Sequence, residues 1–320
     1  MPELPEVDVV RSGLAPAVTG ATVAAVRVYD ERSLKRHGAP AEDFVQRLTG
    51  STFDEPSRRG KFLWVPLALV VGPSTSSTDV DPRPELVGGP TEALVIHLGM
   101  SGQVLLRDPD APVDRLTRIS MDVEHPLHGR VRVDFVDQRI FGSMAIDELV
   151  PTQDVAGETV PSQVAHIARD PLDEHFDDAR FFTALARRNT GVKRALLDQT
   201  LISGVGNIYA DEALWASRIH YDQPTAALSR PRAKTLLAEV RLVLGKALAE
   251  GGTSFDAQYL NVNGESGYFS HSLNAYGQQG LPCPRCGRPI VREQFMNRGS
   301  HFCPRCQRVR TSTPPHTRPE

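Results

Sequence analysis

Four cysteines near the end of this 320-residue chain constrain its folding more than any other feature. They form two CxxC knuckles, Cys283-Pro284-Arg285-Cys286 and Cys303-Pro304-Arg305-Cys306, and the sequence holds no other cysteine. Two pairs at this separation suit one tetrahedral ion, each knuckle giving two thiolates. Two disulfides are the competing arrangement of the same residues. The N-terminal stretch lacks the charged and apolar regions of an export signal, which favours the metal. Four sulfurs leave no open position for water, so the expectation is one structural Zn2+ per chain, bound by Cys283, Cys286, Cys303 and Cys306.

The opposite end, Met1-Pro2-Glu3-Leu4-Pro5-Glu6, carries a different chemistry. Removal of the initiator methionine would leave Pro2 with a secondary amine, able to attack an aldehyde-like carbon and form a cationic iminium. An ordinary α-amino group titrates near 7.7–8.0, so a useful fraction is neutral and nucleophilic at about pH 7. Glu3 places a carboxyl group beside it, suited to proton transfer. The plainer reading is a helix start, since proline followed by acids also opens helices.

Charge divides the chain. Residues 1–179 hold 17 Lys and Arg against 29 Asp and Glu, whereas residues 180–320 hold 19 against 10. The net charge of −3 therefore hides a basic half suited to a polyanion. Arginine is dense around the cysteines, where it commonly contacts phosphate.

The apolar pattern organises the rest. Val7, Val10, Leu14 and Val18 recur at helical spacing, and residues 22–29 alternate as a strand. Pro40 to Gly50 reads as a short helix. Strand pairs are expected at about 93–98 with 103–107, and at about 117–124 with 130–136. Gly72 to Pro90, poor in apolar residues, reads as a surface insertion. Residues 151–179 read as a Pro- and acid-rich linker, after which the period turns helical. Gly204-Val205-Gly206 is a tight turn before a helix, where backbone N–H groups can meet a phosphate. The class expected is α+β. An N-terminal helix and antiparallel β-sandwich span 1–150, a helical domain spans 180–278, a finger spans 279–310, and a flexible tail spans 311–320. No apolar run approaches a membrane span.

Together these residues resemble the formamidopyrimidine-DNA glycosylase family. The resemblance rests on MPELPEV (1–7), RRGKF (58–62), IHLGMSG (96–102), DQRIFG (137–142), GVGNIYA (204–210), GESGYF (264–269), Tyr276-Gly277 and the finger, in family order. It implies a helix-two-turn-helix in the helical domain and a zinc-finger β-hairpin. It also implies a bacterial, cytoplasmic, nucleoid-associated enzyme, a monomer acting on double-stranded DNA that contains oxidised bases or abasic sites. In that light Pro2 is the nucleophile at C1′, Glu3 moves protons at the sugar, and Glu6 supports them. Lys61 and Arg298 serve the elimination steps and clamp phosphate. His97, Arg188, Asn207 and Tyr276 hold the kinked backbone. Met100, Arg139 and Phe141 fill the hole left by the flipped nucleotide, with Arg139 facing the orphaned cytosine. Residues 261–268 match the loop that covers the flipped base.

The implied activity is base-excision repair of oxidised purines with abasic-site lyase action by β,δ-elimination. A relative of the endonuclease VIII branch, acting on oxidised pyrimidines, is the nearest alternative, although Leu4 and Tyr276-Gly277 favour the purine branch. A binding protein without catalysis is the more distant one. Two departures stand out: Gln138 and Ile140 replace a proline and an arginine common in the family, and Arg115-Leu116-Thr117 lacks a DNA-contacting histidine.

Overall fold

The computed structural model describes residues 2–68, 89–252, 262 and 272–310. Met1, the expected insertion up to residue 88, the expected base-covering loop except Val262, and the tail 311–320 lie outside the described residues. The chain forms two compact units. One comprises Met1–His166 with Gly251–Gly267, the other Ile167–Glu250 with Tyr268–Glu320.

The first unit opens with helix α1 (Leu4–Val18). Glu3 is its N-cap, and its N–H donates to Glu6 Oε2 at 2.9 Å in a capping box. Pro5 is tolerated in the first turn, where its missing N–H has no helical partner to lose. Leu4, Val7, Val10, Leu14 and Val18 are buried along one face, each contributing about 1.5–3 kcal/mol of apolar transfer. A second helix, α2 (Ala41–Leu48), buries Phe44 and Leu48.

Ten strands form one antiparallel hydrogen-bonded sheet, nine of them along a single path. They are β1 (Thr22–Val28), β2 (Thr52–Phe53), β3 (Ser57–Arg59), β4 (Phe62–Ala68), β5 (Glu92–His97), β6 (Gly102–Arg107), β7 (Thr117–His125), β8 (Gly129–Asp137), β9 (Ser143–Pro151) and β10 (Thr159–Pro161). The order is β10-β9-β5-β4-β2-β1-β7-β8-β6, with β3 on β4. The two-residue β2 is the narrow link, meeting β1 at Thr22↔Thr52 and β4 at Thr52↔Ala68 and Phe53↔Leu67. Either side of it, the strands make two layers that share one core. Leu63, Val65, Leu94, Ile96, Met144 and Ile146 come from one layer, and Val23, Ile119, Met121, Val133 and Phe135 from the other. Alternation along each strand sends these residues inward.

Three details differ from the sequence reading. The strands expected to pair at 93–98 and 103–107 do not: β5 lies between β4 and β9, and β6 pairs with β8, because the turn at 99–101 carries the chain from one layer to the other. The stretch expected to be a linker contains β10, which pairs Thr159↔Pro151, Val160↔Val150 and Pro161↔Leu149 on β9. A three-residue edge strand among prolines has too little periodicity to be visible in sequence. Val262, expected within the helical domain, belongs to the core of the first unit. Its carbonyl accepts from Leu106 N–H at 2.9 Å, and its side chain fills the space that a Cβ on Gly13 would need.

The second unit contains α3 (Asp178–Arg187), α4 (Val192–Leu196), α5 (Asn207–Ala216), α6 (Arg230–Ala249) and the hairpin β11 (Val291–Phe295) with β12 (Arg298–Phe302). Asp177 caps α3 by accepting from Arg180 N–H at 2.9 Å. The Gly204–Gly206 turn is held by one side chain: Gln199 accepts from Gly204 N–H and donates to Val205 C=O, both at 3.0 Å. No helix of the described residues is long and apolar enough to cross a membrane.

Candidate active site

In the first unit Pro2, Glu3 and Glu6 are all buried at the start of α1. The helix terminus contributes partial positive charge that favours carboxylates at this place. Gly252, at φ +81°, lies against Glu6: a Cβ there would stand 3.2 Å from Oε1.

Lys61 sits in the Gly60-Lys61 turn joining β3 to β4, where Arg59 pairs with Phe62. Phe62 in turn pairs with His97 on β5, their rings 4.9 Å apart. Burial pushes the His97 pKa down from 6.5 to about 4, helped by the nearby charges of Arg36, Lys35 and Lys61. Gly99 N–H donates to His97 Nδ1 at 3.2 Å, so Nδ1 is an acceptor and the neutral ring carries its proton on Nε2. Three cations therefore gather around a neutral imidazole within the acid-rich half. Sequence reasoning missed Lys35 and Arg36. Their only signal was a basic pair in acidic surroundings, since tertiary packing brings them to His97: Arg36 lies 5.6 Å over the Phe62 ring, and Phe62 pairs with His97.

Met100, Arg139 and Phe141 stand on two turns that lock into each other. Asp137, fully buried, accepts from Ser101 Oγ at 2.6 Å, from Arg139 N–H at 3.0 Å and from Gly142 N–H at 2.7 Å. Gly99, at φ +65°, presses directly on the backbone of Phe141 and Gly142, leaving no room for a Cβ. The outward side chains are what remain: Met100 is 39% exposed and Phe141 45%, and the Arg139 guanidinium lies 4.8 Å over the Phe141 ring. The small and acidic residues of the two motifs are thus the frame, and these three are its display.

In the second unit, α5 presents consecutive buried acids. Asp211 pairs with the fully buried Lys193 ammonium at 2.6 Å and accepts from Ser300 Oγ at 3.1 Å and His301 N–H at 2.8 Å. Lys193 also donates to Ser300 Oγ at 2.9 Å, so β12 is fastened to α4 and α5. Glu212 accepts from the backbone N–H groups of Asn274, Ala275 and Tyr276 at 2.8–2.9 Å. Burial pushes its carboxyl up in pKa, against these three donors, which favour charge. The Tyr276 ring packs edge-on against His301, centroids 4.8 Å apart. Asn207 donates to Gly299 C=O at 3.1 Å. Arg298, exposed at the start of β12, leans on Asn297 Oδ1 at 3.3 Å. Arg188 is ion-paired with Asp198 at 2.6 Å.

The four cysteine sulfurs all lie within 4.8 Å of one another. Tetrahedral zinc with bonds of about 2.3 Å requires sulfurs about 3.8 Å apart, so the cluster fits an ion. Trp215 Nε1–H donates to Cys283 Sγ at 3.4 Å, the support a charged thiolate receives from its surroundings. One knuckle arginine has a structural task. Arg285 stacks 4.1 Å over Trp215 and donates to the carbonyls of Trp215 and Ala216.

Comparison with known proteins agrees with this anatomy. The formamidopyrimidine-DNA glycosylase N-terminal domain matches residues 1–144, the H2TH domain of the same enzymes residues 167–258, and the zinc finger found in FPG and IleRS residues 280–309. The formamidopyrimidine-DNA glycosylase of Leifsonia xyli subsp. xyli is 63% identical over 316 residues, covering 97% of this chain and 100% of that protein. That of Streptomyces avermitilis is 53% identical, covering 97% and 98%. The crystal structure of Lactococcus lactis Fpg with DNA containing an abasic site superposes with a TM-score of 0.76 at 28% identity, covering 96% of this chain and 99% of that one. The chain belongs to the formamidopyrimidine-DNA glycosylase family.

Proposed function

We propose that this DNA glycosylase of base-excision repair removes oxidised purines and then cleaves the strand through an iminium formed on Pro2. The observation that carries the reading is Pro2 buried at the head of α1 with Glu3 and Glu6 beside it in a capping box. The Pro2 amine, freed of Met1, attacks C1′ as the glycosidic bond breaks and the base departs with the bonding electrons; the C1′–O4′ bond then opens, O4′ takes a proton, and C1′ is left doubly bonded to the Pro2 nitrogen as the iminium. The iminium acidifies C2′; loss of that proton forms a double bond and expels the 3′-phosphate. A second elimination breaks the bond to the 5′-phosphate, and hydrolysis returns the amine. Glu3 carries protons at the sugar and Glu6 holds the Glu3 backbone.

In this reading the substrate is double-stranded DNA; the Lactococcus lactis protein is bound to abasic-site-containing DNA and, as a mutant, to Fapy-dG-containing DNA. Lys61 and Arg298 hold phosphate during elimination, with His97, Arg188, Asn207 and Tyr276 along the backbone. Met100, Arg139 and Phe141 occupy the hole left by the flipped nucleotide. Cys283, Cys286, Cys303 and Cys306 hold zinc, which supplies folding energy to the hairpin and no chemistry at the sugar.

Borohydride trapping tests the nucleophile. Pro2→Gly keeps an amine and should trap weakly, whereas a one-residue extension beyond Pro2 converts the amine to an amide and should abolish trapping. Undiminished trapping by the extended protein would move the nucleophile to a lysine. Excision from 8-oxoguanine duplexes should exceed that from thymine glycol duplexes; the reverse order would place the enzyme with the pyrimidine branch.

A further inference from the structure

We propose that Lys35 is a positioning residue: it holds the turn that presents Arg139 and Phe141 and thereby sets discrimination of the base opposite the lesion. The inference rests on Arg139 reading the orphaned base. The Lys35 ammonium donates to Ile140 C=O and to Phe141 C=O, both at 3.0 Å. These two carbonyls are those of the one non-glycine residue at positive φ among the described residues of the unit and of the residue after it. Ile140 has φ +56°, a left-handed conformation that a β-branched side chain disfavours strongly. Such a conformation persists only where its surroundings over-determine it.

Asp137 does half of that work. It binds the N–H groups of Arg139 and Gly142, the donors at either end of the turn. A carboxylate cannot hold carbonyls. An ammonium, with donors and no acceptor, is the complementary group, and Lys35 supplies it from about a hundred residues away. Its base is firm. A 3-10 turn at Glu31–Leu34 is capped by Asp30, which accepts from Arg32 N–H at 3.1 Å. Leu34 is buried, and its carbonyl accepts from His37 N–H at 2.7 Å. Arg118 reinforces the same side, donating to Asp137 C=O at 2.8 Å. An anion on its N–H groups and a cation on its carbonyls therefore grip one strained turn that exposes Arg139 and Phe141, with Gln138 beside them.

The competing role for an exposed lysine in this cluster is a phosphate contact, and the two roles predict different things. Amide exchange at Arg139 and Gly142 in the intact, DNA-free protein reads the turn alone. Lys35→Met should raise it about tenfold or more, and Lys35→Arg, which can also donate to two carbonyls, should restore protection. With DNA, Lys35→Met should lower the ratio of excision opposite cytosine to excision opposite adenine. Combined with Arg139→Ala it should lower that ratio no further than Arg139→Ala alone. Unchanged exchange in Lys35→Met overturns the proposal, and losses equal for every opposite base, with a flatter salt dependence, would make Lys35 a backbone contact. If Arg139→Ala itself ignores the opposite base, the role given to Arg139 fails and the link from Lys35 to discrimination fails with it, while the exchange result still decides whether Lys35 holds the turn.

Discussion

Arg139 is displayed by hydrogen bonds to the backbone of its turn, while its guanidinium lies over the exposed Phe141 ring and keeps its N–H donors for recognition. Arg139→Ala should therefore weaken binding to a lesion opposite cytosine by about 1–3 kcal/mol, with a smaller loss opposite adenine, measured by titration of matched duplexes. His97 makes the second residue-scale prediction. Its folded pKa of about 4 lies below the ordinary 6.5, so the fold favours the neutral ring. That contribution is complete above pH 6.5 and is lost as the pH falls towards about 4, because the unfolded chain takes up a proton the folded one refuses. Urea unfolding at pH 7 and pH 4.5 should show wild type losing more stability on acidification than His97→Gln. Both residues were legible in sequence through their motifs. Their physical states were not, because the neutrality of His97 comes from burial and from Lys35, Arg36 and Lys61 converging on it.

Among elements, α4 and α5 are joined by a charge pair that water cannot reach, and Ser300 of the finger hairpin bonds to both of its members. Lys193 and Asp211 are 0% and 1% exposed at the side chain. Lys193→Met would leave Asp211 buried without its partner and should destabilise the second unit by about 3–5 kcal/mol, seen as a lowered unfolding midpoint for that unit. The helical pattern around Val192 and Leu196 was readable, yet Lys193 sits among those apolar positions as an apparent surface residue. Nothing in the periodicity marks a buried ammonium whose counter-ion is eighteen residues further on. The knuckles were readable for a firmer reason, since four thiolates in two pairs permit few alternatives. Arg285 shows the limit of that reading: a cation beside a cysteine looked like a phosphate ligand until Trp215 was found beneath it.

At the scale of the molecule, the division of charge sets how binding responds to salt. Lys61 is expected to neutralise one phosphate, so Lys61→Gln should flatten the dependence of log affinity on log salt by about one, whatever the lesion or its partner base. An unchanged slope would remove Lys61 from the DNA backbone. The acid-rich first half still offers a cationic surface, because Lys35, Arg36 and Lys61 are gathered where strands β4 and β5 meet. A balance taken over 179 residues cannot show such a local concentration.

Local order in the chain sufficed for whatever depends on near neighbours. The start of α1 follows from Glu3, Pro5 and Glu6, its buried face from a four-residue recurrence of aliphatics, and the metal cluster from two knuckles. Helix periodicity and thiol chemistry act over a few residues, so sequence carries them directly. Tertiary structure decided the rest: the grip of Lys35 and Asp137 on one turn, the fit of Gly99 against Phe141, the passage of Val262 into the first core, and the burial of Lys193. Each joins residues far apart in the chain, where loop closure and packing decide which partner is met.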